Sequence, residues 1–112
     1  MGSRDVLASI VEKVNSSGIG EKELSGFNKT FQFKVSDASP FYVKIENGKV
    51  SLNDGEAQSP PSATISATDA LLTDLFNGKV DAVAAFMQGK LRVSGDIFSA
   101  QKLTSIVGKY RK

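Results

Sequence analysis

The 112-residue chain contains no His and no Cys. That removes the commonest general base, thiol nucleophiles, Ser-His-Asp triads and zinc sites of the usual ligand types. Catalysis would have to rest on Asp, Glu, Lys, Ser or Tyr. Lys90, Arg92 and Asp96 stand close together in KLRVSGD. In a strand, however, Lys90 and Arg92 point away from Leu91 and Val93, which makes them a solvated face. The reading is therefore not an enzyme, with no metal and no other cofactor. Gln88 and Gln101 pose a different question. Each sits beside bulky apolar or uncharged residues: Val83, Phe86 and Met87 in one segment, Ile97 and Thr104 in the other. A few polar groups set in an apolar wall are the ingredients of a small-molecule site. Met87 is flexible enough to follow a ligand's shape.

The elements that would position these groups follow from hydrophobic spacing. Val6, Leu7, Ile10, Val11 and Val14 predict an amphipathic helix over about residues 4–15, ended by Ser16-Ser17-Gly18 and followed by a polar loop to Ser25. FNKTFQFKV, residues 27–35, alternates, as does the segment from Phe41 to Ile45. Asn47-Gly48 is a two-residue hairpin signal that returns the chain into Val50 and Leu52. These three strands form an antiparallel meander. Residues 63–67 make a smaller fourth strand. Thr68 caps a helix over 69–76 that buries Leu71, Leu72, Leu75 and Phe76, closed by Asn77-Gly78. Asp81 caps a short helix that stops at Gly89. Residues 90–94 form the fifth strand, with Leu91 and Val93 inward. The two helices between the fourth and fifth strands make a crossover long enough for parallel pairing of those strands. A last helix spans about 97–110. The class is α+β: one domain, residues 1–112, with a mixed five-stranded sheet and its helices gathered on one face.

Bulk properties narrow the partners. Apolar residues make up 40% of the chain and charged ones 23%, the balance of a globular protein able to bury its own core. The net charge of +2 gives no argument for nucleic acid. No apolar run approaches the ~20 residues of a membrane span, and no secretory signal is visible.

The last helix carries more uncharged surface than a sheet-facing stripe requires. Leu103, Ile106, Val107 and Tyr110 form the core stripe. Ile97, Gln101, Thr104 and Gly108 add a second strip, while Lys102 and Lys109 mark the solvent side. Phe98 falls on the lysine side. In the 81–88 helix, Val83, Ala84, Phe86 and Met87 likewise spread around more than one face. Two readings stay open on pattern alone: a helix packed between two neighbours, or the wall of a lined cavity.

The run AFMQGKLRVSGD, Ala85 to Asp96, resembles the signature of the sterol carrier protein 2 family, and Ala100-Gln101-Lys102-Leu103 resembles that family's closing helix. Phe31-Gln32-Phe33 and Asn77-Gly78-Lys79 fall in the expected order. The resemblance implies a sheet of order 3-2-1-4-5 and an apolar tunnel enclosed between sheet and helices. It also implies non-catalytic binding and transfer of a fatty acid, fatty acyl-CoA or sterol. Phe33, Val83, Phe86, Met87, Phe98 and Gln101 match positions that line the tunnel. Leu72, Phe76 and Ile106 from the helix stripes, with Gln88, complete the candidate lipid-binding set. The alternative is an accessory or protein-interaction domain of a larger lipid-metabolism protein. The expected state is a monomer inside the cell, in cytoplasm or peroxisome, making transient contact with acidic membrane through Lys102, Lys109, Arg111 and Lys112. Tyr110-Arg111-Lys112 does not match the C-terminal Ser-Lys-Leu peroxisomal address found in many family members.

Overall fold

The computed structural model describes residues 2–18 and 20–111. Helix α1 (Ser3–Ser17) is followed by a single turn, α2 (Gly20–Glu23), then strands β1 (Lys29–Val35), β2 (Phe41–Glu46), β3 (Lys49–Asp54) and β4 (Ala63–Ala67). Helices α3 (Asp69–Phe76) and α4 (Ala82–Met87), strand β5 (Arg92–Gly95) and helix α5 (Ile97–Tyr110) complete the chain. The five strands form one sheet in the order β3-β2-β1-β4-β5.

Alternation decides which face of this sheet is covered. Phe31 pairs across with Val43 on one side and Ala63 on the other, and Phe33 with Phe41 and Ile65. These residues are buried beside Leu7, Ile10 and Val14 of α1, Leu72 and Phe76 of α3, and Leu103, Ile106 and Val107 of α5. The opposite face carries Lys34, Lys44, Ser51, Thr64, Ser66 and Arg92. The exception there is buried Gln32, whose amide donates to the carbonyls of Phe41 and Gly55 (3.1 Å each) and accepts from the Ala57 N–H (2.8 Å). One side chain thus pins the 55–57 loop over the outer face and satisfies its backbone groups.

The hairpin turn follows its sequence signal. Asn47 and Gly48 both have positive φ (54° and 80°), as a twist-matched two-residue turn requires.

Two expectations need correction. β4 and β5 pair antiparallel; the parallel pair is β1 with β4. Arg92, the first residue of β5, lies opposite Ser66 near the end of β4. Helices α3 and α4 run out and back, so the chain re-enters the sheet at the end it left and must run in the reverse direction. The loop after α1 also contains the turn of α2. It leads into Leu24, a buried core residue. One turn is too short to show helical periodicity.

Candidate functional site

The apolar layer between sheet and helices is unevenly filled. At the β2–β3 side, Phe41, Val43 and Ile45 are buried in one cluster with Leu7, Ile10 and Val14 of α1. At the β4–β5 side the sheet offers Ala63, Ile65, Ala67 and Val93, and α5 offers Ala100. These are small or short side chains. Short α4 lies over that end with only Ala85 buried. The result is a cavity of about 620 Å³. An engineered void of roughly 150 Å³ is enough for benzene, and drug-sized ligands occupy roughly 300–1,000 Å³.

Phe33, Ile65, Leu91 and Val93 form the sheet side of this cavity, and Leu75 and Phe76 close it at the end of α3. Ala82, Val83, Phe86 and Met87 come from α4; Ile97, Ala100, Gln101, Leu103, Thr104 and Val107 come from α5. The turn residues Gly78, Val80 and Asp81, with Arg111, form the rest.

Few polar groups face in, and two of the four are occupied. Asp81 caps α4 by accepting from the Ala84 N–H at 2.9 Å. The Thr104 hydroxyl donates to the Ala100 carbonyl at 3.0 Å. Gln101 and Arg111 make no hydrogen bond or ion pair among the described residues, and both are exposed.

The rim is apolar. Val83, Phe86, Met87 and Ile97 line the cavity yet are exposed, and Phe98 beside them is 82% exposed. Among the described residues these five are the exposed large hydrophobics. Apolar surface is thus concentrated at one opening.

Of the ten candidate residues from the sequence, Phe33, Phe76, Val83, Phe86, Met87 and Gln101 come together on the wall. Leu72 and Ile106 are buried in the core away from it. Gln88 is the exposed C-cap of α4, and Phe98 stands outside on the rim. The sequence reading does not single out Ile65, Leu75, Val80, Leu91, Val93, Ala100 and Val107 as site residues, although Thr104 and Arg111, which it marks on the uncharged strip and among the basic groups, do line the cavity. Several are inward-facing by alternation or helix stripe, which is the signal available. Alternation tells inward from outward, but not whether a side chain meets a helix or an empty space.

The Ala85–Asp96 run has local work to do in this architecture. Gly89 takes a left-handed φ of 75° to end α4. A Cβ on Gly95 (φ 94°) would stand 2.5 Å from the Ser62 carbonyl oxygen, so only glycine lets β5 lie this close. Asp96 caps α5, accepting from the Ser99 N–H (3.1 Å) and hydroxyl (2.6 Å). Those donors, with Lys29 at 3.6 Å, hold its carboxyl below the usual carboxylate range. Asp96 thus serves the start of α5 and Lys29, while Lys90 and Arg92 are exposed on β5 and the turn before it.

A model described as the SCP-2 sterol transfer family matches residues 7–108. The chain belongs to that family. It is 34% identical over 93 residues to sterol carrier protein 2 of Rattus norvegicus, covering 78% of this chain and 17% of the relative. Among solved structures, sterol carrier protein 2 from Yarrowia lipolytica in its apo form superposes with a TM-score of 0.70 at 18% identity, over 97% of this chain and 89% of that one. Palmitated SCP2L2 from Aedes aegypti superposes at 0.61 and 20% identity, over 88% and 91%. At these identities the structural likenesses speak for the SCP-2 fold. The chain spans about a quarter or less of the length of the curated relatives it matches, from 13% to 24%.

Proposed function

We propose that this domain binds one acyl chain or sterol in the cavity between sheet and helices and carries it between membranes, without catalysis. The observation that carries the reading is the 620 Å³ apolar cavity whose open rim is built from Val83, Phe86, Met87 and Ile97. Each buried methylene contributes about 0.8 kcal/mol. A chain of ~14 methylenes therefore offers on the order of 11 kcal/mol before the costs of immobilisation and ordering. Micromolar affinity takes about 8.2 kcal/mol, which leaves about 3 kcal/mol of that gross figure to set against those costs.

Phe33, Phe76, Val83, Phe86 and Met87 would form the greasy wall. Gln101 and Arg111 would meet a hydroxyl, carboxylate or phosphate at the polar end. The palmitated fold relative supports a place for an acyl chain in this architecture. Exposed rim residues beside exposed cations suit brief contact with an acidic bilayer during loading. The implied setting is a monomer inside the cell, in cytoplasm or peroxisome.

The test is titration with a fluorescent fatty acid, competed by acyl-CoA and by sterol. Saturable one-to-one uptake, weakened by Met87→Asp in a folded protein, is expected. No saturable uptake would refute the reading.

A second reading has its own support. The curated relatives are several times longer than this chain, so the domain would act as an accessory module whose rim meets another part of a larger lipid-metabolism protein. Light scattering separates the two: a stable ligand-free dimer through the rim would favour the module.

A further inference from the structure

The outer face of the sheet holds a second recess, of about 360 Å³, around the ends of β1 and β4 and the start of β5. Its wall includes Lys34, Lys90 and Arg92, the hydroxyl residues Ser36, Ser66 and Thr68, and no carboxylate. The strand register explains the grouping. Lys34 of β1 pairs with Ser66 of β4, and Ser66 pairs with Arg92 of β5. The three residues form one row across adjacent strands. They point away from the apolar cavity, because Phe33, Ile65 and Val93 alternate with them. With strands ~4.8 Å apart, Lys34 and Arg92 sit on either side of Ser66 with backbones about 10 Å apart. The turn through Gly89 adds Lys90 at the edge.

Four cations elsewhere face carboxylates. Arg4 meets Asp54, Lys29 meets Asp96, Lys44 meets Glu46 and Lys109 meets Glu23. Lys34, Lys90 and Arg92 have no ion pair or side-chain hydrogen bond among the described residues. Asp37, just past Ser36, accepts from the Asp69 N–H at 2.9 Å, and its carboxylate is not part of the recess wall. Like charges gathered in a wall that holds no carboxylate repel. A bound anion would relieve that repulsion. A guanidinium and two ammonium groups around hydroxyls match the oxygens of a phosphate.

We infer that this recess is an anion site for a phosphate-bearing ligand, separate from the apolar cavity. The phosphate belongs either to a soluble nucleotide-like molecule or to a phospholipid headgroup, and the chemistry of recognition is the same. The inference does not depend on the lipid-carrier reading, since the two sites lie on opposite faces of the sheet.

The experiment is an amide-shift titration of the whole chain by NMR. The probes are adenosine diphosphate, short-chain phosphatidic acid below its micelle concentration, and adenosine as the phosphate-free control. Saturable shifts are expected at residues 34–36, 66–68 and 89–92 with one or both phosphate probes and none with adenosine; the tighter probe names the source. Arg92→Gln and Lys34→Gln, both exposed and pointing to the face opposite the cavity, should each weaken binding several-fold, and added salt should weaken it further. The inference is overturned if neither phosphate probe shifts these residues, if adenosine shifts them equally, or if the double variant titrates like wild type. Binding of a fluorescent fatty acid should stay unchanged in both variants, so failure of one site is read separately from failure of the other.

Discussion

Phe86→Ala distinguishes a cavity wall from an ordinary core. Phe86 is 47% exposed, whereas Phe33 on the opposite wall is 2% exposed and packs its ring 5.0 Å from Phe41 and 5.8 Å from Phe76. Fully burying a phenylalanine stabilises a fold by about 1.5–3 kcal/mol, so the buried half of Phe86 contributes about 1–1.5 kcal/mol. Truncating it opens space beside an existing cavity and leaves little further void to penalise. Phe33→Ala removes a close-packed ring and should cost about 3–5 kcal/mol. The uncovered half of Phe86 is what a bound chain would shield, so its loss should weaken acyl binding by a similar 1–1.5 kcal/mol, about tenfold in Kd. Urea unfolding followed by circular dichroism gives the stabilities, and a fluorescent fatty-acid titration gives the affinity. The reasoning fails if Phe86→Ala destabilises as much as Phe33→Ala, or leaves the affinity unchanged.

Ala100→Phe places a ring in the cavity; uptake of fatty acid should fall at least tenfold while the melting temperature holds or rises, as calorimetry would read. Gly95→Ala forces a Cβ to within 2.5 Å of the Ser62 carbonyl at a left-handed φ, and should cost more than ~1 kcal/mol in denaturant unfolding. Asp69 and Asp96 are both held below the usual carboxylate range by serine donors, Ser3 and Ser99. A lowered folded pKa adds stability above the unfolded value of about 3.9, and that stability is lost as pH falls through the folded pKa. Thermal melts should therefore be flat in these two groups from pH 5 to 8 and decline below about pH 4, and Ser99→Ala should flatten part of that acid decline.

Much of the fold was legible because its signals are local. Asn47-Gly48 specified the hairpin, and Thr68, Asp81 and Asp96 all cap the helices they precede. The last helix, expected over 97–110, spans Ile97–Tyr110. The excess of uncharged surface on α4 and α5 left a packed helix and a cavity wall both open on pattern alone, and Phe86, Met87 and Gln101 line the cavity. Two kinds of information were not local. The direction of β5 depends on how α3 and α4 turn back, which loop length alone does not determine. The outline of the cavity depends on which inward side chains lack a partner. Ile65, Val93 and Val107 read like any core residue, and Leu72 and Ile106, which read the same way, turned inward to the packed side. The recess around Lys34, Ser66 and Arg92 is non-local too, since its residues are more than twenty positions apart and meet only through strand register.

The most direct test is an NMR measurement of contacts between carbon-13-labelled palmitate and the protein's methyl groups. Bound as proposed, the acyl chain should show nuclear Overhauser effects to Ile65, Val93, Leu103 and Val107 deep in the cavity, as well as to Val83 and Met87 at the rim. Contacts confined to the rim residues, or none at saturating palmitate, would contradict the account and return the space between sheet and helices to an unoccupied gap.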